Sequence, residues 1–249
     1  MLEIKNLTAG YGDFEVLRNL SLNIEKGLIT VVLSTNGCGK STFLKSLSGI
    51  IPSRGDILLD NVNFFSLSKK ELAGKIAYLP QGKPASDMTV GQLVLHGRFP
   101  HLSYPRRYSY RDREIASNSM KAMEVYEYKD SYLSSLSGGM QQRVYLAMAL
   151  CQSTDYILLD EPTTYLDISN TLKLIDILKG LCKEGKGILA VLHDLNLALR
   201  IADKIALMED GKILICDTQE NVFLSGEIDR VFDINLKRTK TDDGYIYYY

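Results

Sequence analysis

An apolar run from Leu28 to Leu33 leads directly into Ser34-Thr35-Asn36-Gly37-Cys38-Gly39-Lys40-Ser41, after which Phe43, Leu44 and Leu47 recur at helical spacing up to Gly49. A strand, a glycine-bearing loop and a helix, in that order, is what wrapping a phosphate requires. Gly37 and Gly39 let the backbone come close, Lys40 reaches the β and γ oxygens, Ser41 offers a hydroxyl to Mg²⁺, and Thr42 sits on the next N–H of the helix start. One position departs from the pattern G-x-x-x-x-G-K-[ST]: its first glycine is Ser34. With φ > 0 there, a Cβ would cost about 1–2 kcal/mol. With φ < 0, serine is nearly neutral and can donate a hydrogen bond. The second case is expected, because the rest of the apparatus is retained, and with it near-normal ATP affinity.

A second constraint lies further along. Ile157-Leu158-Leu159-Asp160-Glu161-Pro162 is an apolar strand ending in two adjacent carboxylates, the usual seat of a Mg²⁺ ligand and a water-activating base. Asp160 is assigned to the metal, directly or through water, and Glu161 to general-base catalysis. Just before it, Leu136-Ser137-Gly138-Gly139-Met140-Gln141-Gln142-Arg143 places a Ser-Gly-Gly turn at a helix start, where bare backbone N–H groups face an anion.

Elsewhere, residues 2–32, 54–62 and 75–79 carry strand-like apolar patches. From about Gly82 to Gln152 the pattern turns helical and more polar, which suggests a separate lobe, with Met140, Val144, Ala147, Met148 and Cys151 as one stripe. A helix follows from about Ser169 to Glu184, then a buried strand Gly187–Leu192 ending at His193-Asp194. Asp210-Gly211 signals a hairpin, and Tyr245–Tyr249 a final strand. Strands alternating with helices imply α/β architecture with a mostly parallel sheet flanked by helices.

Composition excludes several classes. No apolar run reaches the roughly 18–20 residues of a bilayer span, and Met1-Leu2-Glu3-Ile4-Lys5 begins folding material at once, so no secretory signal is expected. Cys38, Cys151, Cys182 and Cys216 form no Cys-x-x-Cys pair and read as free thiols. A formal net charge of −1 gives no global pull toward nucleic acid. Residues 98–113 do hold five arginines and three tyrosines against one acid, Asp112. Set in a chain of neutral balance, that stretch reads as a solvated or protein-docking face, and no nucleic acid is expected.

Ser34–Thr42, Tyr78-Leu79-Pro80-Gln81, Leu136–Met140, Leu158–Pro162, Tyr165-Leu166-Asp167 and His193 stand in the order and spacing of ATP-binding cassette (ABC) transporter ATPases, which the chain resembles from Leu2 to about Val222. The resemblance implies a single cassette domain over 1–249. Residues 1–81 and 153–249 would form a RecA-like core with an N-terminal antiparallel β subdomain. Residues 82–152 would form the helical lobe carrying the signature motif. ATP and Mg²⁺ are the implied cofactors. Tyr11 matches the aromatic on which such proteins stack adenine, and Ser34, Thr35, Asn36, Gly37, Cys38, Gly39, Lys40, Ser41 and Thr42 the phosphate loop. Gln81 resembles the glutamine that touches Mg²⁺ and the attacking water and senses the membrane partner, and His193 the histidine on the γ-phosphate. Lys40, Gln81, Glu161 and His193 are therefore the catalytic set, and Ser41, Gln81 and Asp160 the metal set. Leu136, Ser137, Gly138, Gly139 and Met140 resemble the signature that binds ATP held by the other subunit, with Ser137 and Gly139 on its γ-phosphate. Met140 departs from the glutamine of many relatives. Asp167 matches the aspartate that crosses the interface of the implied ATP-dependent head-to-tail homodimer.

Glu161–Asp167, Leu192-His193-Asp194-Leu195-Asn196 and Gly97-Arg98-Phe99-Pro100-His101 further resemble importer ATPases that serve iron–siderophore, haem and vitamin B12 permeases. In that group the segment after Gln81 docks on a permease helix. The implied partners are a copy of the chain, integral membrane permease subunits and, indirectly, a periplasmic or lipid-anchored binding protein. The implied place is the cytoplasmic face of the plasma membrane. Three alternatives remain at this stage: a zinc or manganese importer ATPase, a soluble cassette with no transport role, and a nucleotide-binding subunit weakened at Ser34 and Met140. A single cassette without a heptad run argues against the second, and intact Lys40, Gln81, Asp160, Glu161 and His193 against the third.

Overall fold

The structure, a computed structural model, describes residues 1–82, 86–241 and 244–249. Strands β1 (Leu2–Tyr11) and β2 (Phe14–Ile24) form a hairpin, and β3 (Ile29–Leu33) leads through the Ser34–Gly39 loop into helix α1 (Lys40–Leu47). Then come β4 (Ser53–Leu59), β5 (Val62–Asn63), α2 (Lys69–Lys75) and β6 (Ile76–Leu79). Helices α3 (Val90–His96), α4 (Tyr110–Ala122) and α5 (Gly138–Cys151) follow, with irregular chain over 102–109. The chain continues through β7 (Tyr156–Asp160), α6 (Ile168–Lys183), β8 (Gly187–Val191), α7 (Leu195–Ile201) and the hairpin β9 (Lys204–Glu209)–β10 (Lys212–Thr218). It closes with α8 (Gln219–Leu224), α9 (Glu227–Phe232), β11 (Lys237–Thr241) and β12 (Gly244–Tyr248).

One sheet runs β10-β9-β3-β8-β7-β6, with every pair parallel except β9–β10, which turn at Asp210-Gly211. Its central strands β3, β7 and β8 are buried at every position, and mostly apolar, because both faces are covered. Val31, Leu33, Ile157, Leu159, Ile188 and Ala190 face the layer of α3–α6. Their neighbours Val32, Leu158, Leu189 and Val191 face α1 and an antiparallel sheet, β2-β1-β4-β5. The final strand expected at Tyr245–Tyr249 is β12, and it pairs with β11.

Helices start where the sequence supplies side-chain caps: Thr89 and Ser109 form capping boxes with Gln92 and Asp112, and Ser137 and Asp167 cap α5 and α6. α5 packs on α3, α4 and β6, joining the helical layer to the sheet edge. Buried Arg98 donates to Asp112 at 2.9 Å and to the Cys151 carbonyl at 3.0 Å, which fixes the start of α4 against the end of α5. Of the five arginines in residues 98–113, this one is therefore structural.

Candidate nucleotide site

Four neighbouring parallel strands end together. β3, β8, β7 and β6 align Val32 with Val191, Val191 with Asp160, and Leu159 with Leu79. The residues just beyond those ends are the Ser34 loop, His193, Glu161 and Gln81, so the sheet itself gathers segments more than a hundred residues apart. Ligands bind outside the carboxyl ends of strands in open α/β sheets. A cleft of about 570 Å³ lies there, lined by Val16, Asn36–Thr42, Gln81, Glu161 and His193.

The loop's geometry answers the question at Ser34. Gly37 and Gly39 take φ of 82° and 99°, whereas Ser34 is not among the residues of positive φ. No Cβ strain arises. Buried Ser34 donates its hydroxyl to the Thr35 carbonyl at 2.9 Å and accepts from Lys40 Nζ at 2.9 Å. Lys40 also donates to the carbonyls of Ser34 and Thr35, both at 3.0 Å. Burial lowers its ammonium pKa. At Gly39 a Cβ would stand 2.8 Å from Val16 Cγ1, so this position needs glycine for space as well as for φ. Cys38 Sγ lies 3.1 Å from Thr35 Oγ1.

Glu161 is the hub. Gln81 Nε2 donates to its Oε2 at 2.7 Å, Thr164 Oγ1 donates to the same oxygen at 3.3 Å, and His193 Nε2 meets its Oε1. Its backbone is left-handed, with φ 52°, a conformation held by its N–H on the Val191 carbonyl at 3.1 Å. Strain of that kind gathers at functional sites. Beside it, Asp160 is 2% exposed and its Oδ1 has no partner among the described residues. Oδ2 receives a long bond from Tyr78 Oη, 3.5 Å. Burial pushes this carboxyl up, against the pull of hydrogen bonds from Ser41 and Tyr78.

The remaining expected residues lie apart from the cleft lining. Ser137 and Gly138 are exposed at the start of α5, and Leu136, Gly139 and Met140 are half-buried. Ser137 Oγ accepts from Met140 N at 3.4 Å as the helix cap. Asp167 caps α6, accepting from Asn170 N at 2.7 Å. Tyr11 ends β1 half-exposed and is not part of the lining, whereas Val16, on the paired strand β2, is. Sequence reasoning missed Val16, the Thr164 hydroxyl and the Tyr78–Asp160 contact; Tyr78 alone carried a trace, as the polar-tipped member of an apolar strand.

The sequence profile of ABC transporters matches residues 17–164, more than half of the chain. The chain belongs to the ABC transporter ATP-binding family. As an ABC ATPase it binds and hydrolyses ATP. Among curated relatives, the petrobactin import ATP-binding protein FpuD of Bacillus anthracis is 44% identical over 224 residues, 89% of this chain and 82% of that protein. The ferric enterobactin transport ATP-binding protein FepC of Escherichia coli is 38% identical over 233 residues, 92% of this chain and 86% of its own. In three dimensions, the dimeric structure of a bacterial ABC transporter cassette superposes with a TM-score of 0.77 at 30% identity, over 88% of this chain and 99% of that one.

Proposed function

We propose that this chain is the ATP-hydrolysing subunit of a bacterial importer for iron–siderophore chelates or the related haem and cobalamin cargoes. One observation carries the hydrolytic part: Gln81, His193 and Thr164 converge on the carboxylate of Glu161 at the mouth of the phosphate-loop cleft. A carboxylate so oriented can align a water and take its proton, and the neighbouring amide and imidazole can register whether a γ-phosphate is present. The cargo class follows from the siderophore names of the relatives.

The residues beside the loop fit Mg²⁺. Buried Asp160 Oδ1 is a charged oxygen without a partner among the described residues, and Ser41 lies beside that carboxylate, a hard oxygen donor set. With Gln81 they would hold the ion, which when bound neutralises charge on the β and γ oxygens. Lys40 and the amides of Asn36–Thr42 would hold the phosphates, with Tyr11 on the base. Ser137 and Gly139, exposed or half-buried outside their own cleft, would serve ATP held by a second copy, with Asp167 at the joint.

Residues 1–81 and 153–249 then form the nucleotide core and 82–152 the helical lobe of one cassette. The segment just after Gln81, expected to meet the permease, includes residues 83–85, which lie outside the described residues. No helix among the described residues is long and apolar enough to cross a membrane. The chain would work at the cytoplasmic face through its permease, fed by a binding protein on the far side. Steady-state hydrolysis of ATP by this chain assembled with its permease tests the reading. Turnover that rises with cargo-loaded binding protein is expected; nucleotide binding without turnover would overturn it.

A further inference from the structure

Gln142 is an oddity in α5. It is 2% exposed, in a helix otherwise buried through Val144, Leu146, Ala147 and Cys151, and it carries two polar atoms into that layer. Its Nε2 donates to the carbonyl of Pro162 at 2.7 Å. Pro162 is itself buried and directly follows Glu161. A second brace lies one turn earlier on the same helix. Gly139 sits so close to the Tyr165 carbonyl that a Cβ there would stand 2.9 Å from the oxygen.

The segment held at these two points is stiff. Glu161 and Tyr165 are both left-handed, with φ 52° and 69°. Between them, the N–H of Thr164 bonds the Glu161 carbonyl at 3.3 Å, and that of Leu166 bonds the Thr163 carbonyl at 3.1 Å. Asp167 then caps α6. A shift of the Glu161 backbone therefore carries the Pro162 carbonyl with it. On the other side, Gln142 and the cap Ser137 are five residues apart on one continuous helix, about 7–8 Å along its axis. Helices transmit such displacements as rigid bodies rather than absorbing them.

We propose that Gln142 is a positioning residue that ties the Ser137–Gly139 turn to the Glu161 loop of the same chain. The inference rests on the assignment of Glu161 to this chain's own ATP and of Ser137–Gly139 to the partner's. The turn offered to one ATP is thereby set by the state of the loop serving the other, and the two sites of a dimer are coupled through each subunit. The Gln142 amide is a polar link across this contact, and the bare Gly139 permits the close approach that keeps the contact short.

The test compares wild type with Gln142→Met, which keeps the side chain's length and removes the donor, and Gln142→Glu, which keeps its shape. Each is assembled with the permease and assayed for hydrolysis across ATP concentration, with ATP affinity and melting temperature measured on the isolated chain. Gln142→Met is expected to lower kcat about tenfold, the ratio for one oriented buried hydrogen bond. Its Hill coefficient should fall to about 1, as for uncoupled sites, with ATP affinity unchanged. Gln142→Glu should behave likewise at pH 8 and recover part of the lost cooperativity at pH 6, where a protonated carboxyl can again donate to the Pro162 carbonyl. Unchanged kcat and Hill coefficient, or losses that track melting temperature and ATP affinity, would overturn the proposal. A Glu161→Gln control separates the two readings. If that variant turns over freely, the assignment of the base fails, whatever Gln142→Met does.

Discussion

Replacing Ser34 with the glycine that most phosphate loops carry should weaken the fold and leave nucleotide affinity nearly alone. The side chain accepts from Lys40 at 2.9 Å and donates to the Thr35 carbonyl at 2.9 Å, and both bonds disappear in Ser34→Gly. Lys40 retains two carbonyl acceptors at 3.0 Å, so its share of the loss is modest, and the pair together contribute about 1 kcal/mol net. Added backbone freedom of glycine costs about 0.5–1 kcal/mol more, with no strain relieved, since φ at this position is not positive. The sum is about 2 kcal/mol, which in a chain of this size lowers the melting temperature by about 4–8 °C. On ATP binding the ammonium must release at least one of its three acceptors to reach a phosphate. Freeing it from the Ser34 hydroxyl in advance changes Kd by less than tenfold, since a tenfold change needs about 1.4 kcal/mol. Differential scanning calorimetry and fluorescent-nucleotide titration read both quantities. A glycine variant that melts higher, or binds ATP at least ten times more tightly, would refute this account of the loop.

Three further outcomes follow from particular groups. Asp160→Asn should raise the stability of the nucleotide-free chain at pH 8 by about 1–2 kcal/mol, because a neutral amide costs less to bury than an ionised carboxylate, while abolishing turnover. Because burial raises this carboxyl, the folded form binds a proton more readily than the unfolded chain. The advantage of asparagine therefore shrinks as pH falls into the carboxylate range; a variant that melts lower than wild type at pH 8 contradicts this. Asp112→Ala should cost about 3 kcal/mol, from a broken buried ion pair and the lost carboxylate half of the Ser109–Asp112 capping box, measured by urea midpoints. The Ser109 and Arg98 hydrogen bonds hold Asp112 at about 2, so its contribution is complete above the ordinary carboxylate range and lost as pH falls toward 2. A stability gap between wild type and variant that persists unchanged at pH 2 would be the opposite result. Gln142→Met should uncouple the two ATP sites as set out above.

Much of this site was legible because its chemistry demands rare residue patterns. The Leu28–Leu33 strand, Gly37, Gly39 and Lys40 announce a phosphate loop before any fold is known, and the expected conformation of Ser34 agrees with its observed backbone. The parallel sheet followed from apolar strands such as Tyr156–Asp160 and Gly187–Val191 alternating with helices. Contacts that depend on register were not legible. Thr164 on Glu161 looks like an ordinary loop threonine, and Gln142 on Pro162 like an exposed glutamine in a Gln-Gln-Arg run, because nothing local marks which helix face meets a loop twenty residues away. Strand β11 escaped notice for a related reason: Lys237-Arg238-Thr239-Lys240-Thr241 has no apolar alternation and is defined by its pairing with β12. The helical run expected over 82–152 breaks at 102–109, where Pro105 lacks an N–H and Leu102 turns inward as an anchor.

The central claim is that Glu161 activates water for ATP held jointly by two copies of this chain. Glu161→Gln keeps the shape of the side chain and its contacts with Gln81 and Thr164 while removing the base. Light scattering and steady-state hydrolysis on the purified variant with Mg·ATP test the claim together. A stable ATP-bound dimer with turnover reduced at least a hundredfold, the lower end for a lost general base, is the predicted result. A variant that hydrolyses ATP at close to the wild-type rate would contradict it.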